Sequence, residues 1–379
     1  MDMSAPSPAK AKVRDPLIDI LKGIGIMSIV IGHSAAITFP SVKFNSTVFV
    51  YGYHIMIFMF VLGFLYQTNK SSTPFQYIGK TVFSMAKLYV TYAIIFILLH
   101  NVLLKLGFIT GAPLTWVEQI AKIIYSATFM CEESMLGAFW FIPMYIFAAI
   151  VFSSMIYVAE KSKCPPVLHT VFIVVNILLV ILSHNKAFSF NYHIQTSILA
   201  LPVCYAGYFA KKYWSVIQKF VTWYGAIIAA VSLNLLLNTK YGFIELSQNM
   251  IITPYLFYPV TLIGIYYCLG LAKIIAYLKP TRAVFAYVGK NSFHIMALHF
   301  VCLKLVDVIY GVATNQPVEV YSKFPFAFDL WYLYYPVGIF LPLGIIALCR
   351  LIKKYVVLGN DKLFAALTKR ADGSEKSDL

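Results

Sequence analysis

The segment from Leu17 to Ile37 reads LIDILKGIGIMSIVIGHSAAI and is the first long apolar run of the chain. It is long enough to cross a bilayer core as a helix, which takes about 20 residues. Lys22 and His33 interrupt it eleven residues apart. At about 100° and 1.5 Å per helical residue, this spacing places both side chains on one face, roughly 16 Å apart along the axis. Because ionisable groups are costly inside a membrane, these two residues are the first candidates for function.

The composition of the chain places it among membrane proteins. Hydrophobic residues make up 60% of the 379 residues and charged residues only 12%, whereas about a quarter of an ordinary soluble domain is charged. We therefore predict an all-α, polytopic bundle of about ten transmembrane helices. The apolar segments of spanning length are Leu17–Ile37, Thr47–Tyr66, Val82–Leu104, Phe139–Val158, Val167–Ser183, Ser197–Ala210, Val221–Leu237, Pro254–Tyr277, Ser292–Val312 and Leu330–Leu351. The stretch Trp116–Phe129 is too polar to span and is predicted to lie at a surface or fold back into the bundle.

The distribution of charge predicts the topology. The net charge is +15, and the cations concentrate in every second connecting segment when the N terminus is placed inside. This positive-inside pattern predicts that both termini are cytoplasmic. We expect a disordered cytoplasmic tail over residues 1–13, a transmembrane domain over residues 14–357 and a cytoplasmic tail over residues 358–379. The charge is thus a topology signal, and we expect no nucleic-acid partner.

A polar stripe at three- and four-residue steps runs along the first helix from Asp15 to His33 and must face protein or water. Asp19 precedes Lys22 by three residues and can pair with it. This pair is either a structural ion pair at the membrane interface or part of a site. His33 lies deeper, with no acidic residue within four positions on its own helix. It is either a satisfied core residue or a reactive imidazole.

Three later segments carry further polar candidates. His54 could approach His33 from the neighbouring span, or it could be a residue of the interfacial aromatic belt. Trp140 could line a pocket, or it could only anchor the helix in that belt. Asn291 or Ser292 is a credible helix N-cap, whereas His299 is a polar side chain inside the ninth span. The six cysteines have no CxxC spacing and the histidines form no HExxH pattern. We therefore predict no metal site.

Four stretches, in order, resemble the acyltransferase-3 family of multi-span membrane acyltransferases, which O-acetylate bacterial surface polysaccharides. The resemblance extends from Arg14 to about Lys354. Two positions depart from the family pattern, Met56 in place of a proline and Leu62 in place of a serine. The stretches are Lys22 with His33 eleven residues later, Tyr53-His54 through Gly63-Phe64, Trp140-Phe141-Ile142-Pro143, and Gly289-Lys290-Asn291-Ser292 with His299.

The resemblance implies an acyl-CoA donor in the cytoplasm and a glycan hydroxyl as acceptor, in the bacterial inner membrane, without a bound cofactor. A sugar hydroxyl needs a base to remove its proton, and a near-neutral imidazole suits this task. We therefore take His33 as the general base for direct attack on the thioester, with an acyl-His33 relay as the variant. Lys22 would bind CoA or hold the thioester, and Asp19 would orient Lys22.

The remaining candidates are assigned to the two substrates. Lys80, Lys87 and Arg282 are inner-face cations that could assist in binding the anionic CoA, together with Lys22. The acceptor side would be shaped by His54, Trp140, Asn291 and His299.

A transporter or flippase for a glycan or anionic small molecule is the alternative. Buried His, Lys and Asp could relay protons or bind cargo in such a protein. The chain has no inverted repeat and no matched pair of interrupted helices, which disfavours transport. A structural membrane partner without chemistry would leave the polar stripe unexplained.

Overall fold

The chain folds almost entirely into α-helices, as its long apolar segments predict. The computed structural model describes residues 16–66, 74–129, 133–184, 193–238, 244–251 and 253–374, with side chains as far as residue 356. Within this part the strands are β1 (Thr38–Phe39) and β2 (Phe44–Asn45), which pair antiparallel with Thr38 opposite Asn45. The predicted tail over residues 1–13 lies outside the described residues.

The helices vary widely in length. Three short 3₁₀ segments accompany them, at Pro40–Val42, Ser134–Trp140 and Leu246–Gln248. The α-helices are α1 (Pro16–Gly32), α2 (Ser46–Tyr51), α3 (Met56–Leu65), α4 (Pro74–Lys105), α5 (Trp116–Ser126), α6 (Phe141–Lys161), α7 (Pro165–His184), α8 (Ile194–Lys212), α9 (Trp214–Phe220), α10 (Trp223–Leu237), α11 (Pro254–Tyr277), α12 (Lys279–Lys290), α13 (Ser292–Ala313), α14 (Val318–Tyr321) and α15 (Trp331–Ser374).

Seven helical segments of the described chain are long and apolar enough to cross a membrane, and one of them, Ser46–Leu65, contains both α2 and α3. These segments coincide with seven of the ten predicted ones. The pair α9 and α10, bent by 75°, could form an eighth span. Neither α1, with 17 residues, nor α8 is among these seven. The multi-span helical class is therefore confirmed, whereas the number of ten and the cytoplasmic location of both termini stay predictions. The backbone of α15 continues to Ser374, into the segment expected to be a tail.

The chain divides into two compact units. The first comprises residues 1–32, 37–88 and 140–292, and the second comprises residues 33–36, 89–139 and 293–379. The transmembrane domain predicted over residues 14–357 thus contains parts of both units.

Close helix contacts in the first unit depend on glycine. A Cβ atom on Gly289 of α12 would lie 1.8 Å from the carbonyl oxygen of Asp19 on α1, and one on Gly23 would lie 2.3 Å from the carbonyl oxygen of Phe285. The same relation joins α3 to α8, since a Cβ atom on Gly63 would lie 1.8 Å from the carbonyl oxygen of Cys204. Small residues let two membrane helices approach until their backbones touch. These positions therefore hold α1 against α12 and α3 against α8.

The two positions that depart from the family motif lie on α3, in the first unit. Met56 is the first residue of the helix, and both Met56 and Leu62 are buried. The chain makes a turn between the end of α2 at Tyr51 and Met56. The second predicted span is therefore interrupted at the point where the family carries a proline.

The amphipathic stretch forms α5, in the second unit. Thr115 caps its first turn, and its hydroxyl and backbone N–H both donate to Glu118. These hydrogen bonds lower the pKa of Glu118. The side chain of Gln119 is buried and donates to the carbonyl oxygen of Ile97 on α4, and Lys122 pairs with the buried carboxylate of Glu133 at 2.8 Å. The polar face of α5 is thus held by protein, while its apolar face is exposed.

Candidate active site

His33 is the first residue after α1, which ends at Gly32. The expectation that His33 lies within a longer first helix is therefore wrong, because the chain turns after Gly32 and then leads to the β1–β2 hairpin. The imidazole of His33 is partly exposed. In the second unit, its centroid lies 4.8 Å from the ring of Phe300 and 5.5 Å from the ring of His299. Two histidines of the sequence motifs are thus neighbours.

His299 of α13 is fully buried and held in one orientation. Its Nδ1 atom lies 2.8 Å from the carbonyl oxygen of Met296 and 3.2 Å from that of Ile295. Because a carbonyl only accepts hydrogen bonds, Nδ1 carries the proton and Nε2 has a free lone pair. In the described part of the chain, Nε2 is buried without a hydrogen-bond partner. Buried polar atoms without a partner are few in folded proteins, so Nε2 of His299 is a candidate for a functional role.

The short segment that carries His33, residues 33–36, is also held by a hydrogen bond from α15. The hydroxyl of Tyr335 on α15 donates to the carbonyl oxygen of Ala35 at 2.9 Å. Phe300 is buried and contacts both imidazoles, with its ring centroid 4.3 Å from that of His299. The imidazole of His33 thus lies on a fixed segment beside a packed aromatic side chain, which favours a defined orientation.

Lys22 and Asp19 form the ion pair that their spacing predicts. The Nζ atom of Lys22 lies 3.1 Å from Oδ1 of Asp19, and their side chains are 15% and 2% exposed. The pair belongs to the first unit, where the backbone of Gly289 touches α1 at Asp19. Lys22 therefore retains partial access to solvent, while Asp19 is enclosed by the helix packing.

The other cations assigned to acyl-CoA are exposed residues of the first unit. Lys80 and Lys87 lie on α4, and Arg282 lies on α12. Their exposure leaves them accessible to an anionic ligand, and their roles in binding stay predictions.

The candidates for the acceptor pocket are placed in both units. His54, Trp140 and Asn291 belong to the first, whereas His299 belongs to the second. His54 is buried, stacks on Tyr51 with centroids 4.7 Å apart, and has Nδ1 3.0 Å from the carbonyl oxygen of Val50.

The contacts of Trp140 and Asn291 are with other groups. The ring of Trp140 lies 5.1 Å from that of His193, whose pKa is lowered by burial. The side-chain amide of Asn291 donates to the carbonyl oxygen of Tyr287 at 2.8 Å and so completes the end of α12. This bond favours the structural interpretation of Asn291, although the helix it caps is the preceding one.

The structure contains a fully buried ion pair that we did not predict from the sequence. Lys304 and Asp307 on α13 are 0% exposed, with Nζ 2.6 Å from Oδ2. Two opposite charges three residues apart within an apolar span were the available signal, because an ionisable residue inside a membrane helix is a candidate for function by default. The pair is buried in the second unit, which also contains His33 and His299.

A second polar cluster that was missed lies in the first unit. One carboxylate oxygen of Glu160 accepts from the hydroxyl of Tyr208 at 2.8 Å and lies 3.2 Å from Nε2 of His169. Among the described residues, no three His, Cys, Asp or Glu side chains are arranged to hold a metal ion. The absence of a metal from the mechanism stays a prediction.

Seven candidate spans in the described part of the chain are typical of a multi-pass membrane protein. A family model described as an acyltransferase domain matches residues 15–351, nearly the whole chain. The protein thus belongs to the acyltransferase-3 family and is a membrane acyltransferase. Comparison with curated proteins and comparison with solved structures each gave no match.

Proposed function

We propose that this protein transfers an acetyl or other short acyl group from acyl-CoA to a hydroxyl of a cell-surface or lipid-linked polysaccharide, in the bacterial inner membrane. Membership of the acyltransferase-3 family supports acyl transfer in general. The observation that carries the residue assignment is the partly exposed imidazole of His33 beside the buried imidazole of His299.

In this proposal His33 is the general base. The acceptor oxygen attacks the thioester carbonyl carbon while His33 takes the hydroxyl proton, and the carbon–sulfur bond then breaks. The proton passes to the departing thiolate, so the products are the ester and free CoA. In the variant with a relay, the imidazole of His33 attacks the thioester and CoA leaves as the thiolate. The acceptor oxygen then attacks the acyl-imidazole, the carbon–nitrogen bond breaks, and the hydroxyl proton neutralises the thiolate.

His299 would complete the acceptor side of this reaction. Its Nε2 atom is a buried acceptor without a partner in the described chain, and a sugar hydroxyl could supply the missing hydrogen bond. His54, Trp140 and Asn291, in the first unit, are each proposed as residues of the acceptor side as well. Of these, Asn291 would act indirectly, by stabilising the C-terminal end of α12 through its hydrogen bond to Tyr287.

The donor would be bound by cations of the first unit. Lys22 would contact the pantetheine or phosphates of CoA, and Asp19, 3.1 Å from Nζ, would orient the ammonium group. The exposed residues Lys80, Lys87 and Arg282 would add attraction for the phosphates. Because CoA is strongly anionic, several cations are needed to offset its charge.

The decisive experiment measures acyl transfer by the purified protein in detergent. Incubation with labelled acetyl-CoA and a polysaccharide acceptor should release free thiol and label the polysaccharide. A positioned general base contributes about 10² to 10⁴-fold to the rate, so His33→Ala should lower turnover by at least about 100-fold. The control is His184→Ala, which removes an exposed imidazole at the end of α7.

Two outcomes would contradict the proposal. Wild-type turnover in His33→Ala, with normal amounts of inserted protein, would remove His33 as the base. Movement of labelled glycan across reconstituted vesicles, without thiol release or acylation, would instead support a transporter or flippase.

A further inference from the structure

The buried ion pair of α13 makes most of its remaining hydrogen bonds to the loop of residues 321–328. Besides its bond to Asp307, Nζ of Lys304 donates to the carbonyl oxygens of Tyr321 and Lys323. Asp307 accepts from the backbone N–H of Ala327 at 3.1 Å. The pair therefore binds the chain on both sides of Phe324.

Tyr334 strengthens this attachment from α15. Its hydroxyl donates to the carboxylate of Asp307 and accepts from the backbone N–H of Phe328 at 3.2 Å. Removing two opposite charges from water is costly, and the cost is met only where all their hydrogen-bonding groups find partners. Here those partners are the carbonyl oxygens of Tyr321 and Lys323, the N–H group of Ala327 and the hydroxyl of Tyr334, so the conformation of this loop is coupled to the ion pair.

Phe324, at the centre of the loop, is in contact with the aromatic side chain that lies beside both motif histidines. Its ring centroid is 4.7 Å from that of Phe300. Phe300 in turn lies 4.8 Å from His33 and 4.3 Å from His299. A continuous set of contacts within the second unit thus leads from the Lys304–Asp307 pair to the imidazole of His33.

We propose that Lys304 and Asp307 are positioning residues, which hold Phe324 against Phe300 and thereby fix the orientation and solvent access of the His33 imidazole. The effect on catalysis rests on the proposed function, whereas the effect on the imidazole itself does not. A purely structural ion pair would stabilise the protein without any specific influence on His33. The two interpretations are separated by a measurement on His33.

Phe324→Ala is the sharpest test, because it breaks the contact with Phe300 and leaves the ion pair and the loop backbone in place. The matched control is Phe328→Ala, which removes a phenyl ring from the same loop that packs instead on Tyr310, 4.8 Å between centroids. The first readout is the rate at which diethyl pyrocarbonate modifies His33 in the folded protein, measured by mass spectrometry. The second is kcat and KM for acetyl-CoA.

We expect Phe324→Ala to raise the rate of His33 modification severalfold and to lower kcat about tenfold with KM unchanged, since small displacements of a reacting group are costly in rate. Phe328→Ala should change neither quantity. Phe324→Tyr, which retains the ring, should restore the wild-type modification rate. The double variant Lys304→Met/Asp307→Leu should reproduce the effect of Phe324→Ala on His33 if it inserts and folds.

Equal modification rates of His33 in Phe324→Ala, Phe328→Ala and the wild type would overturn the proposal, even if the double variant failed to fold. A different result would show that the proposed function is wrong, namely wild-type turnover in His33→Ala. In that case a faster modification of His33 in both Phe324→Ala and the double variant would still establish the positioning role of the ion pair.

Discussion

Nζ of Lys22 lies 3.1 Å from Oδ1 of Asp19, one turn earlier on α1. The side chain of the lysine is 15% exposed while that of the aspartate is 2% exposed, so the lysine is the partner with access to solvent. A cation held in this way is suited to bind an anionic ligand without losing its place on the helix.

Lys22→Ala should therefore weaken the binding of acetyl-CoA by about tenfold, the equivalent of one hydrogen bond to a charged group. Isothermal titration with the purified protein measures this change. Asp19→Asn should weaken binding less, because the ammonium group remains. Lys43→Ala, at an exposed cation before β2, is the control and should bind normally. Unchanged affinity in Lys22→Ala would reduce the pair to a structural one.

The contact of α1 with α12 predicts that Gly289→Ala is destabilising. The added Cβ atom would meet the carbonyl oxygen of Asp19 at 1.8 Å, so one helix must move. Overpacking of this kind costs about 1–3 kcal/mol, which should appear as a lower midpoint of thermal unfolding in detergent. Gly79→Ala on α4 is the matched control, because its Cβ atom would have no neighbour within 4 Å. Equal midpoints for the two variants would contradict the close approach of the helices.

Lys304 and Asp307 should show strong energetic coupling. Removal of one partner leaves an uncompensated buried charge, at a cost of about 3–5 kcal/mol, whereas removal of both leaves none. In a double-mutant cycle, the double variant Lys304→Met/Asp307→Leu should therefore cost about 3 kcal/mol or more below the sum of the two single variants. Thermal unfolding of the four proteins gives the coupling energy. Simple additivity would show that the two charges act independently.

The N-terminal turn of α5 should loosen in acid. Hydrogen bonds from Thr115 lower the pKa of Glu118 in the folded protein. A carboxyl group with a lowered folded pKa stabilises the structure above its unfolded pKa and loses this contribution as the pH falls through the folded value. Amide hydrogen exchange at the start of α5, corrected for intrinsic rates, should accordingly speed up below the ordinary pKa of glutamate. Glu118→Gln should remove this pH dependence; its persistence would assign the effect to another group.

Many properties of the protein follow from local features of the chain. The apolar runs predict membrane helices because a spanning segment must satisfy its own backbone hydrogen bonds. The Lys22–Asp19 pair follows from a three-residue spacing on one helix face. The four ordered motifs indicate the acyltransferase-3 family, which the match over residues 15–351 confirms. The roles of His33 and of the other candidate residues stay predictions.

Only the tertiary structure brings residues from distant parts of the sequence together. The fold places His33 beside His299, with Phe300 in contact with both rings. It also places the buried ion pair of α13 within hydrogen-bond distance of the loop that carries Phe324. The end of α1 at Gly32 could not be predicted from the sequence either, because the apolar segment continues to Ile37. Helical periodicity fixes which side chains share a face within one segment, so the membrane class and the local pairs follow from the order of residues alone. Which faces meet depends on the packing of whole helices, and that packing decided the surroundings of His33.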